Sequence, residues 1–64
     1  MDRQEAEVMA LVVEAKVIDA RIQGMVAENQ HHVMFGRQVI YREDAFNEQA
    51  RTLEFIASRI RSAY

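Results

Sequence analysis

Apolar residues recur every three or four positions between Ala6 and Ala27, and they do so twice over. Val8, Leu11, Val12, Ala15, Ile18, Ile22, Met25 and Val26 share one side of a helix. Ala6, Met9, Ala10, Val13, Val17, Ala20, Gly24 and Ala27 share another, and these are mostly small. On the first side, heptad lettering from Val8 gives a positions Val8, Ala15 and Ile22 and d positions Leu11, Ile18 and Met25, the pattern of a coiled-coil seam. Glu7, Glu14, Arg21 and Glu28 fall at one polar position, so a solvated strip separates the two apolar sides. A helix packed on a single side is polar elsewhere, and the second apolar stripe therefore asks for a second partner.

The pattern predicts a first helix over about residues 3–29, with Asp2 as N-cap and Asn29 as C-terminal cap. Gly24 costs a helix ~1 kcal/mol relative to alanine, and close approach by another helix is the natural compensation. A connector over about residues 30–43 follows, in which Val33 to Tyr41 is rich in β-forming residues around Gly36. A short β-ribbon and a plain extended connector both fit that stretch. Asp44 is then expected to cap a second helix over about residues 44–63, whose apolar stripe is Phe46, Ala50, Leu53, Ile56, Ala57, Ile60 and Tyr64. The fold class expected is all-α: one antiparallel helical hairpin that fills the whole chain as a single domain.

Size and composition sharpen the case for assembly. A chain of 64 residues has a marginal core on its own, and with no cysteine it has neither a disulfide framework nor a thiolate metal site. Association is the staple that remains. Met9, Val13, Val17, Ala20 and Gly24 are the expected oligomer interface, giving a dimeric four-helix bundle or a higher oligomer. The net charge of −2 argues for neither a nucleic-acid binder nor an acidic mimic of one. The longest apolar run, Val8 to Val13, is far below the ~20 residues that span a bilayer. The location expected is the cytoplasm.

Little in the chain carries chemistry. Thr52, Ser58 and Ser62 have no histidine three or four residues away to activate them, and the two glycines are too far apart for a phosphate loop, so no enzyme and no cofactor are expected. Glu28-Asn29-Gln30-His31 has the Glu-x-x-His spacing of carboxylate-bridged metal bundles, which makes Glu28 and His31 the metal candidates. A solvated last turn, with histidine favoured by the helix dipole, is the plainer reading of the same residues. Arg37, Arg42 and Arg51 are the candidates for a small anionic ligand such as a nucleotide, or for nucleic acid, since guanidinium groups bind phosphate bidentately. Arginines interleaved with acids on a wet face explain them as well. The leading surface is apolar: Phe35, Ile40, Tyr41 and Phe55, with Arg37 and Arg42 beside them, are the expected protein-binding residues. Closure of the hairpin end by Phe35 and Ile40, and cover of a second subunit by Phe55, is the alternative.

The run Met25-Val26-Ala27-Glu28-Asn29-Gln30-His31, with Gly36, Ile40-Tyr41 and Glu43-Asp44-Ala45-Phe46, resembles phrases of small accessory proteins of lambda-like bacteriophages and prophages. The resemblance covers the middle third of the chain. It implies a bacterial setting and a non-enzymatic inhibitor or regulator that binds a host or defence protein. It assigns no site residues.

Overall fold

In the computed structural model, which describes residues 2–63, two helices run antiparallel: α1 over Arg3–Met34 and α2 over Glu43–Ser62. Asp2 caps α1 as its type and position demand, its carboxylate accepting from the Glu5 amide at 2.8 Å. The seam then follows the heptads. Val8, Leu11, Ile18 and Met25 are buried, Ala15 and Ile22 are half-buried between them, and α2 sets Leu53, Ile56 and Ile60 against that row. Leu11 at 3% exposure and Ile56 at 5% are the best covered residues of the pair. At the far end Gln4 donates to the Ala63 carbonyl, and Arg59 reaches Glu7 at 3.5 Å. The latter pair is half exposed on both sides, so it registers the helices more than it stabilises them.

Asn29 does not end α1, as its residue type suggested. The helix runs a further five residues to Met34, because the seam itself continues: four and seven residues after Met25 stand Asn29 and His32, both half-buried on the α2 side. Termination falls to Gly36, whose φ of +71° is the left-handed conformation open to a residue without Cβ. Around it the Arg37 amide donates to the His32 carbonyl at 2.9 Å and the Gly36 amide to that of Val33 at 3.0 Å. These are the two bonds of a Schellman closure.

The connector is accordingly Phe35 to Arg42, eight residues and within the usual length for bundle loops. It contains no strand; the β-formers Val33 and Met34 are helical, and Val39 to Tyr41 are extended or bent. Nor does Asp44 cap α2. The N-cap is Arg42, extended and without a side-chain cap bond, its carbonyl accepting from Ala45 and Phe46 at 3.1 and 3.3 Å. Asp44 sits with Glu43 inside the first turn, where the positive end of the helix dipole still favours it.

On α2, Ala50 is exposed and Gln49 takes its place on the seam side. The Gln49 Oε1 is buried with no hydrogen-bond partner among the described residues. Tyr64, expected to close the stripe, lies outside the described residues. The result is a flat, elongated body of 52 × 20 × 9 Å with a radius of gyration of 15.5 Å, against about 11 Å for a compact domain of this length. No described helix is long and apolar enough to cross a membrane.

Candidate functional site

Two surfaces are left uncovered by this fold: the outer face of α1, and the end of α1 that outruns α2. The outer face keeps the residues expected at an oligomer interface in water. Met9, Val13 and Val17 are 51%, 56% and 51% exposed, and Ala20 and Gly24 are exposed with them. A Cβ placed on Gly24 would meet nothing within 4 Å, so no close approach inside this chain explains the glycine.

The overhanging end is built around Asn29. Its Oδ1 accepts from the Ile40 and Tyr41 amides at 3.0 and 2.9 Å, and its Nδ2 donates to the Tyr41 carbonyl at 2.8 Å. Three of the four hydrogen bonds an asparagine side chain can make are thus fixed on the connector. The connector is thereby laced back along α1 and does not extend its axis. Beside this lacing, the Tyr41 hydroxyl faces the Glu28 carboxylate. Hydrogen bonding toward Glu28, then its negative charge and slight desolvation, raises the phenol above its ordinary pKa of 10.0.

What the lacing leaves outside is apolar. Val26, Asn29, Gln30, Val33, Met34 and Val39 line an open groove of about 540 Å³. Met34 is 81% exposed and Phe35 64%, the latter packed on the His31 ring at 4.8 Å between centroids. Ile40 is also exposed. Phe35 and Ile40 therefore do not close the hairpin end by burying themselves in it. Phe55, equally exposed, stands on α2 at the middle of the hairpin.

The remaining expectations separate in space. Tyr41 is half-buried, its backbone held by Asn29 and its hydroxyl facing Glu28. The Arg42 guanidinium lies 3.5 Å from Gln38 Oε1, and Arg51 is nine residues further along α2, about 13 Å away by the rise of a helix. Arg37, Arg42 and Arg51 are all exposed. Glu28 faces Tyr41, and His31 rests on Phe35. No group of three or more His, Asp or Glu side chains able to hold a metal forms among the described residues.

Three residues of this end were missed by pattern reading: Asn29 as the clamp, and Val33 and Met34 as apolar surface. Adding the heptad steps to Met25 lands on Asn29 and His32 and would have carried the helix through them. No family model, curated protein or solved structure matches the chain.

Proposed function

We propose that this chain is a non-enzymatic binding module: a homo-oligomer through the outer face of α1, with the overhanging end of α1 as the contact for a protein partner. One observation carries it. Val33, Met34 and Phe35 are consecutive, exposed and apolar, and the first two line a groove together with Val26 and Val39. Three such residues in water at a rigid helix end are costly unless something covers them. The helix is held rigid there by the Asn29 lacing and the Gly36 closure, which favours a preformed surface over one that orders on binding. The resemblance to phage accessory proteins supplies the biological form of the reading, an inhibitor or regulator of a host or defence protein.

The test is capture from bacterial lysate with the wild-type chain beside a Met34→Ser, Phe35→Ala variant, at low and high salt. Both residues are exposed, so the variant keeps the hairpin. Capture of the same protein in both salts, lost with the variant, is the expected result. Capture that fades steeply with salt and ignores the variant transfers the function to the arginines and a phosphate ligand. A partner retained equally by both chains in both salts overturns the apolar end as the contact.

A further inference from the structure

We infer that the occupant of the α1 outer face is a second copy of the same face, running antiparallel and overlapping from Ala6 to Ala27, short of the Met34 end that the partner contact uses. This rests on the homo-oligomeric part of the reading above and gives it a geometry. The outer face is itself a continuous heptad seam: Ala6, Ala10, Val13, Val17, Ala20, Gly24 and Ala27 are spaced alternately by four and three. Met9 adds apolar surface beside it.

Size complementarity chooses the direction. The midpoint of Arg3–Met34 falls between Ile18 and Asp19. Reversing a second helix about that midpoint brings Val13 opposite Gly24, Val17 opposite Ala20 and Ala10 opposite Ala27. Every valine then meets one of the smallest residues on the face, so each layer has nearly the same thickness and Gly24 receives a reason that its own chain does not give it. Parallel copies in register place valine on valine and glycine on glycine, which forces the backbones apart at one layer and leaves a gap at the next.

Charge makes the same choice. The strip beside the face is Glu7, Glu14, Arg21 and Glu28. Of its outer members, Glu7 pairs with Arg59 within the chain. Its inner members, Glu14 and Arg21, have no ion-pair partner among the described residues and are of opposite sign. Antiparallel pairing about the same midpoint places Glu14 of each copy beside Arg21 of the other at the centre, the same-position flank pairing of antiparallel coils, and leaves the like pair Glu7 and Glu28 to the solvated ends of the overlap. A parallel pair sets Lys16 toward Arg21, two like charges.

Area agrees with a missing neighbour. The chain exposes 5178 Å², against about 4,200 Å² for a compact monomer of its mass. The excess is on the order of 1,000 Å², close to the ≈ 800 Å² each partner contributes to a standard interface. In this arrangement the two Met34 ends lie about 45 Å apart at opposite poles. One dimer then offers two partner sites facing away from each other.

With no native cysteine, a single spin label at Gln30→Cys reads the geometry in the full-length chain, beside light scattering for mass. The expected result is a dimer with labels about 35 Å apart by the helical rise. Parallel pairing leaves them nearer the ~10 Å of packed helix axes. Glu14→Arg and Arg21→Glu should each weaken dimerisation on the order of tenfold, and the double exchange should restore it. A dimer with short label distances, or one indifferent to both charge variants, overturns the antiparallel face while leaving oligomerisation standing. A chain that is monomeric at every concentration overturns both.

Discussion

Leu11 and Ile18, on one side of α1, lie against Ile56 with almost no exposure, while Val13 and Val17, one or two residues away, keep half their surface in water. Both rows obey the same heptad spacing. They differ in what fills them. The inner row uses leucine, isoleucine and methionine to reach a helix of the same chain across a full side-chain gap. The outer row uses alanine, valine and glycine, which suit a partner whose backbone comes close. Helical periodicity thus says that a face will be covered, and residue size says how near the cover lies.

The largest expected effect separates the rows directly. Ile18→Ala removes a buried branched side chain from the centre of the hairpin and should cost about 2–5 kcal/mol, enough to unfold most of so small a chain. Val17→Ala on the adjacent outer position should cost far less in dilute monomer, and its cost should grow with protein concentration as association does. Urea unfolding followed by circular dichroism at two concentrations measures both. Equal costs at high dilution would break the distinction between the rows.

The polar members of the rows should respond with opposite signs. Asn29→Ala, on the inner row, strips the connector of three hydrogen bonds and leaves the Ile40 and Tyr41 backbone to find water, at about 1–3 kcal/mol. Amide exchange at Ile40 and Tyr41 should accelerate by more than the global loss of stability accounts for, because these two amides lose their acceptor outright. Gly24→Ala, on the outer row, meets no atom of its own chain and should stabilise an isolated monomer by up to ~1 kcal/mol. Gly24→Leu makes that layer of the association face far thicker than the Val17–Ala20 layer and should weaken the oligomer. A Gly24→Leu chain that associates as tightly as wild type would show that the outer row has no close neighbour.

The inner row from Val8 to Met25 was legible because every one of its members is apolar. Legibility stopped at Asn29 for a physical reason. Asparagine commonly ends helices in the left-handed conformation, and a hydrophobic count treats it as a break, although its side chain suits a seam position when a strand of backbone lies opposite. His32 on α1 and Gln49 on α2 hide the two sides of the seam in the same way. The β-formers around Gly36 misled for the converse reason, since intrinsic preference is weak beside a seam that keeps Val33 and Met34 in register and a glycine that closes the helix after them. Phe35 was legible as apolar surface, whereas its neighbour Met34 was not, because its place at the end of α1 shows only once the helix is known to reach it.

The smallest effect concerns the strip between the rows. Hydrogen bonding toward Glu28 raises the Tyr41 phenol above 10.0, so the folded chain holds that proton more tightly than the unfolded one. Its contribution is fully present below the ordinary tyrosine pKa and is lost as pH rises through the raised value. Wild-type stability should therefore decline above pH 10 more steeply than that of Tyr41→Phe, which has no proton to lose at this position. Comparing the two chains isolates the contribution of Tyr41. Parallel decline would mean that Glu28 is not held inward by Tyr41. It would then be free to stand with Glu14 and Arg21 on the outer flank.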